Sequence, residues 1–155
     1  VSFIFPSLKE SISMSQQLAY FSILVNDYDE ALAFYVGKLG FKLVEDTILS
    51  PEKRWVVLIP PGAKETGILL AKASNEEQKS MVGKQAGGRV WLFLFTSDFW
   101  NDFKLYQSRG VEFVRQPVVE AHGTVAVFKD LYGNLWDFIQ PSVGNSFYQF
   151  LQTKA

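Results

Sequence analysis

The 155-residue chain predicts an α+β fold made of two tandem βαβββ modules. Three observations carry this expectation. The order strand, capped helix, glycine stop and strand occurs twice, over residues 18–44 and 89–114. Each helical stretch places its apolar residues on one face at the 3.6-residue period. Within residues 124–141, two β-branched and aromatic runs flank Asp130-Leu131-Tyr132-Gly133-Asn134, which reads as a hairpin loop.

The first module opens with an apolar strand over residues 18–25 that ends at Asn26-Asp27. Asp27 suits an N-cap, and Glu30 three residues on completes a capping-box-like pair. Tyr28, Ala31, Leu32, Tyr35 and Leu39 share a helix face, and Gly40 stops the helix. Strands are expected over 41–44, 54–59 and 67–71, with Pro60-Pro61-Gly62 as a turn. A polar bridge, 73–88, reads as a solvated loop or helix face.

The second module repeats the pattern. Residues 89–95 form a strand, and Thr96-Ser97-Asp98 a cap. Phe99, Phe103 and Tyr106 form the stripe, with Arg109 and Gly110 at the stop. From cap aspartate to stop glycine is thirteen residues in the first copy and twelve in the second. Such a repeat implies two similar modules, neither of which buries its sheet alone. In the hairpin loop, Gly133 is the residue expected at positive φ. Asp130 is expected to accept from loop N–H groups. Asp137 then stands between Trp136 and Phe138, where a carboxylate is either at a wet edge or facing a group that wants it.

Composition narrows the function. Hydrophobic residues at 48% and charged residues at 20% are ordinary for a globular domain. A net charge of −1 leaves no electrostatic footprint for nucleic acid or anionic membrane. There is no cysteine, so no disulfide framework or thiolate site, which suits a cytoplasmic protein. The longest apolar run, residues 90–95, is far short of the ~20 residues a membrane span needs. Residues 1–13 read as a leader or appended segment, 14–141 as one domain with modules at about 18–73 and 88–141, and 142–155 as a tail. In that tail Phe147, Phe150 and Leu151 share a helical face.

The run from Val25 to Tyr35, Lys38-Leu39-Gly40-Phe41, the echo Arg109-Gly110-Val111-Glu112-Phe113 and the stretch from Asp130 to Asp137 resemble the vicinal oxygen chelate superfamily. That superfamily holds glyoxalases, bleomycin-resistance proteins and dioxygenases. The resemblance spans about residues 18–140 and implies strands curled into an open cup around one cavity, with the helices packed outside. It also implies four ligand seats in metal-dependent members, which fall here on Tyr20, near Leu70, on Trp91 and on Asp137. Only Asp137 keeps a good donor, and a transition metal needs three or more converging donors. No metal and no cofactor are therefore expected.

If the seats face the cup, strand parity places Ser22 with Tyr20, Phe93 with Trp91, and Ile139 with Asp137. Trp91 and Phe93 are then either core or ligand-facing, and His122 is either a loop residue or an acid–base group at the cup mouth. Arg54 is either a solvated strand end or an anion contact. The expected ligand-binding set is Tyr20, Ser22, Trp91, Phe93, His122 and Asp137, taking a planar, cationic small molecule. A homodimer is expected, with no nucleic-acid or membrane partner. The alternatives are a lyase, isomerase or dioxygenase on the same fold, and a cavity plugged by its own side chains.

Overall fold

The computed structural model describes residues 16–153. The leader expected over residues 1–13 lies outside them. Strands β1 (Tyr20–Val25), β2 (Lys42–Ser50), β3 (Lys53–Ile59) and β4 (Gly67–Lys72) form one sheet in the order β1-β4-β3-β2. Strands β5 (Val90–Phe95), β6 (Glu112–Glu120), β7 (Gly123–Lys129) and β8 (Leu135–Pro141) form the second in the order β5-β8-β7-β6. In each sheet the first strand runs parallel to the last, and the other pairs are antiparallel. Helix α1 (Tyr28–Tyr35) serves the first module and α3 (Phe99–Ser108) the second, so both are βαβββ units. Helix α2 (Glu76–Met81) lies in the bridge, exposed all round or nearly so, and α4 (Ser146–Gln152) lies in the tail.

Strand parity sorts the two faces of each sheet. Ile23, Val25, Val56, Leu58, Ile68 and Leu70 are buried with Tyr28, Ala31, Phe34 and Tyr35 of α1. Phe128, Trp136 and Phe138 are buried with Phe99, Phe103 and Tyr106 of α3. These sets belong to one continuous core, so the helix-bearing sides of both sheets are packed together. Leu70 is only 1% exposed on that side. The seat expected near Leu70 would therefore fall one residue earlier, on Leu69, which pairs with Ser22 on the open face.

The helix ends depart from expectation in their partners. Asp27 does cap α1, accepting from Glu30 N at 2.9 Å. Glu30 does not close a capping box, because its carboxylate accepts instead from the Tyr132 hydroxyl at 2.9 Å. Asp98 makes no side-chain cap bond, and the Phe99 N–H donates to Gln140 Oε1 at 2.9 Å. Phe34, off the expected stripe, is buried as well. Gln85 from the bridge lies along the outer edge of β1, accepting from Leu24 N and donating to Ser22 O.

The hairpin loop ties the modules together. Gly133 has φ +102°, as a tight loop requires. Asp130, 3% exposed, accepts at Oδ1 from the N–H groups of Tyr132, Gly133 and Asn134, at 2.9, 3.0 and 3.0 Å. At Oδ2 it accepts from Asn134 Nδ2 at 2.8 Å and from the Tyr35 hydroxyl of α1 at 2.6 Å. Burial and the adjacent carboxylate together push the Tyr35 phenol well above its ordinary pKa, so it stays a donor.

Tyr35→Phe keeps the ring packing and deletes the donor. Because the acceptor is a buried carboxylate, the expected loss is about 1.5–3 kcal/mol in urea unfolding, with an unchanged m-value. A loss under ~0.5 kcal/mol, the ordinary range of a surface change, would show that the bond does not hold the modules.

Candidate functional site

The open face of the second sheet reads as rows across four strands. One row is Phe93, Asp137, Val127 and Arg115, each paired with the next. The next is Phe95, Ile139, Val125 and Val118. Asp137 thus sits between Phe93 and Val127, with Leu135 and Ile139 before and after it on its own strand. Its Oδ1 is buried with no hydrogen-bond partner among the described residues.

Electrostatics sharpen this. Arg115, at the far end of the row, donates to Glu120 at 2.7 Å, and His122 Nε2 lies 3.5 Å from the same carboxylate. Arg115 and His122 both favour ionised Asp137 from a distance, while Glu120 opposes it. Burial is the largest influence and leaves the Asp137 carboxyl above its ordinary pKa. The result is a carboxylate on an apolar face without a partner of its own.

A cleft of about 1060 Å³ opens over one end of this face. Phe93, Phe95 and Ile139 line it from the sheet, Phe147 and Leu151 from α4, and the segment 60–66 from the first module. Phe93 is 64% exposed. An aromatic ring left that open on a sheet is surface available to a guest.

The six expected residues divide between the sheets. Phe93 and Asp137 are neighbours in one row. A register shift between Val90 and Leu92 takes Trp91 out of the rows, and it lines a small cavity of about 110 Å³ with Asn134 and Leu135. The imidazole of His122 is half-exposed beside Glu120, and its carbonyl accepts from Ser142 N and Asn145 Nδ2. Tyr20 and Ser22 stand on the open face of the first sheet, where the Tyr20 ring meets Trp55 edge-on at 6.3 Å. None of the cavities described is lined by Tyr20, Ser22, His122 or Asp137; the large cleft reaches the Asp137 row through Phe93.

Three residues of these faces were not assigned to the site from the sequence. Arg115 was hidden by the irregular pairing of β6 with β7 on both sides of it. Trp55 carried a usable signal, the alternation of β3, which puts it with Val57 opposite the buried Val56 and Leu58. Phe147 was legible as helical but not as a wall of a cleft. Arg54 is neither a bare strand end nor an anion contact. It pairs with Asp29 at 2.8 Å and Asp46 at 2.6 Å and lies over the Tyr28 ring, fastening α1 to the β2–β3 hairpin.

The donor set does not fit a transition metal. The four seats hold a tyrosine, a leucine, a tryptophan and one aspartate, split between two sheets. Among the described residues, no three His, Cys, Asp or Glu side chains converge on a metal-sized space.

Known proteins share this architecture. A protein of Shewanella frigidimarina is 55% identical over 128 residues, covering 82% of this chain and 95% of its own. The crystal structure of UcmS2 matches with a TM-score of 0.71 at 30% identity, over 81% of this chain and 98% of the other. TnmS3, described as an antibiotic binding protein from Streptomyces sp. CB03234, matches with a TM-score of 0.67 at 31% identity, over 84% and 99%. The profile of the Glyoxalase/Bleomycin resistance protein/Dioxygenase superfamily covers residues 17–138, and with the paired βαβββ modules this makes the chain a member of that superfamily.

Proposed function

We propose that the chain is a metal-free binding protein of the bleomycin-resistance kind, holding a planar cationic small molecule. The observation that carries this is Asp137, whose Oδ1 is buried unpartnered beside the exposed ring of Phe93. A buried carboxylate oxygen without a donor is costly, and a cationic guest would supply the missing partner. Stacking on Phe93 would add about 0.5–2 kcal/mol through aromatic and cation–π contact. The likeness to TnmS3, an antibiotic binding protein, supports a small-molecule guest. No helix among the described residues is long and apolar enough to cross a membrane, and the absence of cysteine suits work in the cytoplasm.

The reading includes a second copy of the chain. Tyr20 (49% exposed), Ser22 and half-buried Trp55 form an aromatic and hydroxyl-bearing face that meets no sheet of its own chain among the described residues. Apposed to the Phe93–Asp137 face of a partner, it would complete the cup, bringing in Tyr20 and Ser22. Trp91 and His122 would then flank the guest at opposite ends of the Asp137 strand.

Titration with 9-aminoacridine as the cation and 9-anthracenecarboxylate as a matched anion tests the charge. The cation should bind in the micromolar range, about −8 kcal/mol, and at least tenfold tighter than the anion. Asp137→Asn should erase that preference. Equal binding of both, or an unchanged preference in Asp137→Asn, removes the proposal.

The pH dependence has a definite sign. The folded chain holds the Asp137 proton more tightly than the unfolded chain, because burial raises its pKa. Its contribution to stability is therefore largest in acid and falls as pH rises from the ordinary carboxylate value to the raised one. Cation affinity should climb through the same window and then level off. Both trends should flatten in Asp137→Asn.

Sedimentation at micromolar concentration should give twice the 17.6 kDa chain mass. Only a monomer would refute the shared cup. Elemental analysis of the purified protein should find no stoichiometric Zn, Ni, Fe or Mn. A full equivalent that leaves with Asp137→Ala would overturn the metal-free reading.

A further inference from the structure

Helix α4 lies beyond residues 17–138, the part matched by the superfamily profile. It is nevertheless fixed in place. Asn145 accepts from Tyr148 N at 2.9 Å to cap the helix, while its Nδ2 donates to the His122 carbonyl at 3.2 Å. Ser142 N donates to that same carbonyl at 3.1 Å, so the β6–β7 turn holds the helix entrance from two points.

From this anchor Phe147 reaches the ring of Phe95 at 6.2 Å, and Phe150 stacks behind it at 6.4 Å. Phe147 remains 61% exposed, although it lines the same cleft as Phe93 and Ile139. The rings are therefore not spent on each other. At about 1060 Å³ the cleft exceeds what one ring fills and lies just above the ~300–1,000 Å³ range of drug-sized sites.

The rows set the spacing. Phe147 stands over the Phe95–Ile139 row, while the unpartnered carboxylate belongs to the adjacent Phe93–Asp137 row. Two residues along one strand separate Asp137 from Ile139, about 6.7 Å. A guest spanning both rows carries its positive charge at one end and a flat, uncharged apolar surface roughly one ring further on.

Building on the proposed cation site, we infer that α4 is the specificity wall of the cleft, selecting guests whose cationic group is joined to a flat polycyclic ring system. Asp137 takes the charge, and Phe147 measures the ring system. Lys64 and Glu65, on the exposed 60–66 segment, line the cleft as well, and Asp137 adjoins it through its neighbours Phe93 and Ile139.

Two cations and one neutral probe separate the roles. Benzylammonium reaches the Asp137 row alone, 9-anthracenylmethylammonium spans both rows, and 9-anthracenemethanol offers the rings without the charge. The full chain should bind the anthracenyl cation about tenfold tighter than the benzyl cation, the size of one aromatic contact. Phe147→Ala should abolish that ratio while leaving benzylammonium within about twofold. Phe147→Leu keeps apolar bulk but no flat ring, and should lose the ratio too, which covers the case of a misfolded alanine variant. Asp137→Asn should weaken both cations together and preserve the ratio.

A ratio unchanged in Phe147→Ala and Phe147→Leu overturns the inference while the cation site stands. Should neither cation bind, the cation site falls, and 9-anthracenemethanol then decides α4 alone. About tenfold weaker binding of that alcohol in both Phe147 variants upholds the wall, and equal binding removes it.

Discussion

The structure depends on one buried carboxylate. Asp130 receives five hydrogen bonds, three from its own loop, one from the Asn134 side chain and one from Tyr35 in the other module. Each alone is an ordinary contact. Together they set the β7–β8 turn, hence the register in which Asp137 meets Phe93, and they lock α1 against the second sheet. Trp136 and Phe41 pack on the Tyr35 ring beside this bond, and Tyr132 reaches Glu30 on its other side. The polar tie lies within the apolar junction, where water cannot compete for it.

The two aspartates of β8 and its loop show how burial means different things. Asp130 is almost fully enclosed and fully satisfied, so its charge is structural. Asp137 is only half-buried, yet one of its oxygens has no partner. Its neighbours in the row are apolar, and Arg115 and His122, which act on it from a distance, both lie against Glu120. A carboxylate so placed on an open aromatic face is the feature on which the proposed recognition role rests.

Much of the fold was legible in the sequence because local chemistry and tertiary contacts agree. Gly133 needed a positive φ, Phe99, Phe103 and Tyr106 kept helical spacing, and the repeat announced two modules. Less could be read where a side chain serves a distant residue. Glu30 looked like half of a capping box but answers to Tyr132, 102 residues away. Gln140 caps α3 in place of Asp98 across 41 residues. Parity arguments worked on regular strands and failed at irregularities, since the shift after Val90 displaced Trp91 and those around Arg115 concealed it. Which sheet faces meet each other is a matter of packing between modules, and alternation within a strand does not encode it.

The Tyr35–Asp130 bond also has a direction in time. Its partners are 95 residues apart, and Tyr35 has no solvent exposure in the finished protein. A ribosome adding about 5–20 residues per second takes roughly 5–20 s to travel from one to the other. Once Lys72 has been added, the first module has its helix and four strands but not yet the carboxylate or the Trp136 ring that cover α1. The N-terminal half therefore waits, unsealed, for the last hairpin to be made, and the growing chain must keep that apolar helix face from finding another cover first.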